Sequence, residues 1–136
     1  IDLTSFGPWY GNINSDITQL IGSIEKLIKL GPQVICSGHK GVVEHNVREQ
    51  LEKYLARLLE KEESILKALR KPQSLDELVQ HKLVYGRWGK AEEQYYYFEK
   101  ISLLVHLRRL IELHLVEEYQ GKYRAVTNPS SQCAHM

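Results

Sequence analysis

Chemistry is most legible around one histidine. Val34-Ile35-Cys36 runs directly into Ser37-Gly38-His39-Lys40-Gly41. A short apolar strand that ends in such a loop brings an imidazole to the carboxyl edge of a sheet. Open α/β sheets bind their ligands at that edge. Gly38 and Gly41 let the backbone turn tightly and come close to a bound group. His39 is therefore a candidate metal ligand. A lone loop histidine can equally be a surface or hydrogen-bonding residue, and the short motif by itself leaves both readings open.

Nothing else in the chain completes a metal site. A catalytic zinc takes about three protein ligands and keeps one position open. The sequence has no His-x-His, no His-Glu-x-x-His and no Cys-x-x-Cys. His45, His81, His106 and His114 are dispersed over helical segments and read as solvated or capping side chains; His135 lies in a polar tail. Asp2, near the start, reads as a strand-end or turn carboxylate. Its sharper reading is a metal-bridging ligand, a role that suits a hard oxygen donor between two cations. Trp9 and Tyr10 decorate a Gly/Pro-punctuated loop, where they either pin it onto the core or form a pocket wall.

These residues need elements to position them. Residues 1–4 could close a strand, and residues 5–11 form the aromatic loop. Asn14-Ser15-Asp16 opens a helix, with Ser15 or Asn14 as the cap. Ile17, Leu20, Ile21, Ile24, Leu27 and Ile28 follow at helical spacing, and Gly31-Pro32 stops the run. Residues 34–36 read as a short buried strand. A long amphipathic pattern then covers residues 43–69, with Glu62 and Glu63 where its apolar stripe would cross, which predicts a bend or a change of packing partner there. Ser74-Leu75-Asp76-Glu77 is a capping box that opens a short helix. A further helix is predicted over residues 92–114. Two strands, 116–119 and 122–126, flank a Gln120-Gly121 turn.

Composition sets the outer limits. The 136 residues suit one ordinary domain or two small ones, and 43% hydrophobic content is enough for a core. The net charge of +1 argues against nucleic-acid binding driven by bulk charge. Lys100, Arg108 and Arg109 are basic candidates on the last helix. Residues 61–126 hold twelve Lys and Arg against ten Asp and Glu, which favours a packing or dimerisation module over a DNA reader. Cys36 and Cys133 are too few for a disulfide framework, so reduced thiols and a cytoplasmic location are expected. No apolar run approaches the ~18 residues of a membrane span. A first residue other than Met suggests a fragment or a processed chain.

Taken in order, several pieces resemble the C-terminal half of metallo-β-lactamase-superfamily hydrolases. They are Ile1-Asp-Leu-Thr-Ser-Phe-Gly-Pro-Trp-Tyr-Gly, Ser15-Asp16, Ser23-Ile24-x-x-Leu27, and Val34-Ile35-Cys36-Ser37-Gly38-His39. A helix from Arg48 to Leu69 with Tyr54-Leu55 follows. Ser102-Leu103-Leu104-Val105-His106-Leu107-Arg108-Arg109-Leu110 and Val116-Glu117 are similar to the last helix and wing of the β-lactamase-like protein 2 group of hydrolases and endoribonucleases.

The resemblance implies an α+β chain, mostly helical. Residues 1–58 would be the C-terminal piece of an αββα sandwich, 59–127 a winged-helix-like domain and 128–136 a disordered tail. It implies that His39 is the last histidine of a dinuclear site, a ligand of the second metal. The bridging carboxylate would be Asp2 or a residue just upstream, the latter being favoured. Trp9 and Tyr10 would line the substrate site. Zinc or another divalent metal belongs to a longer parent that carries the His-x-His-x-Asp-His motif. This piece alone is expected to hold no metal, to contain no catalytic residue and to be inactive. The parent's substrate would be a small molecule or RNA, in a protein free to self-associate. The alternative is a non-catalytic winged-helix binding or dimerisation module.

Overall fold

The computed structural model describes residues 1–5 and 7–126. Asp16 caps the first helix, α1 (Ile17–Leu30), by accepting from the Gln19 amide at 2.9 Å. The cap is thus one residue later than Ser15 and two later than Asn14, because the Asp16 backbone is extended and leaves its carboxylate free to turn back. Gly31 ends α1 in the left-handed region, at φ 63°. The helix buries Ile17, Ile21 and Ile24.

A hairpin follows: β1 (Ile35–Ser37) and β2 (Gly41–Val43), antiparallel, with Ser37 opposite Gly41. The second strand is absent from the sequence reading; its three residues are too few for any periodicity to emerge. Nor is β1 buried throughout, since Cys36 is exposed and Ser37 is its buried residue. Residues 1–4 form no ladder. They run beside β1 through Gly38 N–H to Ile1 C=O at 3.0 Å and Leu3 N–H to Ser37 Oγ at 3.0 Å.

The long helix α2 (Val47–Ala68) is continuous. Of the bend or change of packing partner expected near Glu62, the change of partner occurs: side chains before Glu62 and after it enter different clusters, and Glu62 itself is buried with partners rather than turned to water. Along α2, Val47, Leu51, Tyr54 and Leu58 pack with α1, Leu3, Tyr10 and Val105. Ile65, and Leu69 just past the end, pack in a second cluster with Leu78, Val79, Leu103, Leu107, Leu110 and Val116. One helix therefore serves both cores. Each fully buried leucine contributes about 1.5–3 kcal/mol.

The second cluster belongs to β3 (Gln73–Ser74), α3 (Leu75–Val79), α4 (Glu92–Glu112), β4 (Val116–Tyr119) and β5 (Lys122–Ala125). Both bonds of the Ser74–Glu77 capping box form. Gln120 and Gly121 both take positive φ, 51° and 74°, which matches the hairpin twist of β4 and β5. The three strands pair antiparallel in the order β3-β5-β4. Among the described residues no helix is long and apolar enough to cross a membrane. The tail expected to be disordered, with Cys133 and His135, lies outside the described residues.

Candidate functional site

His39 sits at the middle of the three-residue turn between β1 and β2. The turn closes on Gly41 at φ 82°, a conformation that favours glycine. The imidazole is not lodged in a cleft; 79% of the side chain is exposed. Its Nδ1 lies 2.9 Å from Asp2 Oδ2. Asp2 arrives there because residues 1–3 are tied to Ser37 and Gly38. The other Asp2 oxygen accepts from the Thr4 amide at 2.9 Å. Hydrogen bonds from Thr4, and then from His39, hold the Asp2 carboxyl down at about 2. Two candidates separated by 37 positions therefore meet.

A carboxylate can only accept, so this contact puts a proton on His39 Nδ1 and leaves Nε2 as the free lone pair. Metal-bound histidines commonly have their second nitrogen held in this way. The donor set thus fits one imidazole ligand of a metal site. It does not fit a whole site: among the described residues no three His, Cys, Asp or Glu gather where they could hold an ion.

The two aromatics separate. Trp9 is 54% exposed and meets Phe98 edge-on at 6.4 Å between centroids. Tyr10 is buried, and its ring forms one wall of a cleft of about 490 Å³. The same cleft is lined by Ser5 and Pro8 of the loop, Arg57 and Lys61 of α2, and Tyr85 beyond α3. Arg57 Nη1 donates to Thr4 C=O at 3.0 Å, so the cleft adjoins the segment that carries Asp2.

Behind Tyr10 lies a buried polar network that the sequence does not reveal. The Tyr10 hydroxyl is 2.8 Å from His106 Nε2, and His106 Nδ1 is 3.2 Å from Glu62 Oε1. Arg109 Nη1 donates to Glu62 Oε2 at 2.6 Å. Glu62 can only accept, so His106 carries its proton on Nδ1 and accepts the Tyr10 hydroxyl's hydrogen bond at Nε2. His106 is fully buried, not solvated or capping as its type and position suggest. Burial lowers its pKa, partly opposed by Glu62. A second inner carboxylate, Glu99, accepts from the Val84 and Tyr85 amides at 2.8 and 2.9 Å, and burial raises its pKa. The available signal is Glu62 and His106 on otherwise apolar helix faces.

The basic candidates of α4 are engaged internally. Lys100 pairs with Asp76, Arg109 with Glu62, and Arg108 reaches Ile13 C=O.

No family model matches this chain, and no curated protein matches it. A solved structure does: the crystal structure of a metallo-β-lactamase family protein from Thermus thermophilus. The TM-score is 0.61 at 24% identity, over 81% of this chain and 33% of that one. The chain therefore spans about a third of the length of the solved protein it matches. At that identity the likeness concerns architecture: these helices and strands share the fold of part of a metallo-β-lactamase family protein.

Proposed function

We propose that this chain is the C-terminal part of a metal-dependent hydrolase of the metallo-β-lactamase superfamily, with His39 as one metal ligand. The observation that carries this reading is the Asp2–His39 pair at the carboxyl edge of β1. His39 would hold the ion through Nε2, and Asp2 would hold His39. With both its oxygens engaged by Thr4 and His39, Asp2 is better suited to orienting the ring than to bridging two cations. The bridging carboxylate and the remaining ligands would then come from the parent upstream, as the resemblance implies. A bound zinc or other divalent ion supplies Lewis acidity and a water of lowered pKa. The residues of this chain position the ligand and shape access through Tyr10 and its cleft. The substrate would be a small molecule or RNA.

Metal analysis of the full-length parent tests this. His39→Ala should lose one of two equivalents, and Asp2→Asn should keep the stoichiometry with affinity about 10–100-fold lower, as for other groups that orient a ligand. Full metal content in His39→Ala rejects the reading. Loss of a whole equivalent in Asp2→Asn makes Asp2 a ligand instead. Residues 1–136 alone should retain no zinc through dialysis, since about three ligands are needed.

For residues 59–126 we infer a winged-helix-like unit used for packing or self-association. The helix, strand, helix, helix, hairpin order and the β3-β5-β4 pairing support it. Arg109 is taken up by the buried Glu62, which leaves only Lys100 and Arg108 of the three basic candidates at the surface, few for a helix reading nucleic acid. Leu113, Leu115 and Tyr119 are exposed around the end of α4 and on β4, and such association would cover them.

A further inference from the structure

The first two cations of α2 have carboxylate partners. Arg48 pairs with Glu52 and Lys53 with Glu49, each one turn away. Arg57 and Lys61 do not: among the described residues neither forms an ion pair, yet both line the cleft beside Tyr10. They are spaced i, i+4, so their charges lie on one face and repel each other. Leaving two half-buried like charges together without an ion-pair contact is unfavourable, and the more distant charge of Glu99 offsets only the Lys61 side of it.

The surroundings hold these cations in place. Arg57 is anchored by the bond from Nη1 to Thr4 C=O, which leaves other donors of its planar fork for a ligand. Gly7 packs over it at φ 74°, a conformation that favours glycine; a Cβ there would stand 2.9 Å from Arg57 Nη1, so the guanidinium would have to shift. The Lys61 ammonium lies 5.4 Å from the centroid of the Tyr10 ring. Burial lowers the Lys61 pKa, the sign of a cation short of water. Ser5 adds a hydroxyl to the lining and Tyr85 a flat wall, while the Ser64 hydroxyl also lines it but donates to Glu60 C=O. Two carboxylates are near. Glu60 lines the cleft and is exposed; Glu99 is buried with its oxygens on the Val84 and Tyr85 amides, and its charge partly opposes the effect of burial on Lys61 without an ion-pair contact.

We propose that this cleft is an anion subsite that takes the phosphate group of a small phosphomonoester, Arg57 and Lys61 being its cationic ligands. A guanidinium fork, an ammonium and a hydroxyl suit a group that accepts bonds on several sides. About 490 Å³ is the size of a small-molecule site, not of a polymer track. Two unpaired cations are also few for a nucleic-acid backbone, which is bound through a longer run of phosphate contacts. The location says which part of the ligand is held. Arg57 bonds Thr4, and Thr4 lies two residues from Asp2, at most about 7 Å along the backbone. Resting on the metal-site reading, the anion would be the distal group of a substrate whose reacting bond lies at the His39 edge.

Binding is measured on the metal-stripped protein, so failure here leaves the His39 reading standing. The probes are inorganic phosphate, phenyl phosphate and a single-stranded RNA oligonucleotide, followed by backbone amide and arginine Nε–H shifts at constant ionic strength. Phenyl phosphate should bind saturably, with Kd on the order of millimolar. Its shifts should centre on Ser5, Tyr10, Arg57 and Tyr85. Arg57→Gln and Lys61→Gln should each weaken it about tenfold, the worth of a charge-assisted hydrogen bond. Lys53→Gln, which removes the same charge from the same helix at a paired position, should leave it unchanged. Circular dichroism checks that each variant is folded, and Lys61→Gln, the milder change, carries the test if Arg57→Gln is not. Equal weakening by Lys53→Gln, or shifts that do not saturate, would overturn the proposal. So would RNA that binds more tightly than phenyl phosphate and displaces it.

Discussion

Glu62→Ala is the substitution whose consequence can be worked out most completely. Glu62 is 6% exposed on the inner face of α2 and accepts from two donors, His106 Nδ1–H and Arg109 Nη1–H. Truncation leaves the His106 donor orphaned in a fully buried ring, where water cannot replace the lost acceptor. Hydrogen bonds to charged groups are worth about 1.5–3 kcal/mol each, and removing one partner of a buried pair costs about 3–5 kcal/mol. The Arg109 side chain is 17% exposed and can recover part of its loss by turning to solvent. The lower end, about 3 kcal/mol, is therefore expected. For a chain of this size that lowers Tm by roughly 10 °C. Urea unfolding followed by far-ultraviolet circular dichroism measures it. Glu62→Gln keeps one oxygen acceptor but loses the charge, so it should fall between wild type and Glu62→Ala. The cycle with Arg109→Met should show a coupling of about 1 kcal/mol or more. A loss below about 1 kcal/mol for Glu62→Ala, with no coupling to Arg109, would refute the claim that this network joins α2 to α4.

Three further outcomes follow from other contacts. His106 has its pKa lowered by burial, so the unfolded chain binds its proton more readily than the folded one. Stability should therefore be whole above the ordinary value of 6.5 and decline as pH falls from there toward the folded pKa, and His106→Gln should flatten that slope in pH-dependent urea titrations. Asp2 is depressed to about 2, so its bond to His39 should persist above the ordinary value of 3.8 and be lost only as pH falls through about 2; the Asp2 carboxyl carbon shift in NMR reports this directly. Ser74→Ala removes the acceptor of the Glu77 amide and should cost about 1 kcal/mol, read as a lower urea midpoint with unchanged slope.

The fold was legible where local chemistry is decisive. Gly31 after a 3.6-residue apolar period, the Ser74–Glu77 box and the Gln120–Gly121 turn each specify a conformation through their own backbone demands, and each forms. The strand–Gly–His order likewise brings His39 to a turn at the end of β1. What could not be read depends on residues far apart in the chain. The Asp2–His39 bond spans 37 positions and Tyr10–His106 spans 96. A charged residue on an apolar stripe signals either a bend or a buried partner. Choosing between them for Glu62 requires knowing that His106 and Arg109 face it across α4. The sequence likewise does not show that Arg57 and Lys61 form no ion pair among the described residues, because a surface ion pair and an unpaired cation have the same spacing along a helix.

These contacts give α2 and α4 a shared task beside the Asp2–His39 turn. The segment of residues 7–11 is held at both ends by groups from other elements. At its start, Arg57 of α2 grips Thr4 and packs against Gly7. At its end, Tyr10 is held by His106 of α4, and α4 is locked to α2 through Glu62 and Arg109. A loop built mostly of glycine, proline and aromatics has little hydrogen bonding of its own with which to choose a conformation. Its position is instead imposed from two helices. One of these, α2, begins just after the hairpin that presents His39; the other, α4, leads into the three-stranded sheet. Residues that touch neither the His39 turn nor the cleft can thereby fix the wall of the cleft and, through Thr4, the segment carrying Asp2. That is a physical reason for α2 and α4 to be packed together against this edge of the fold.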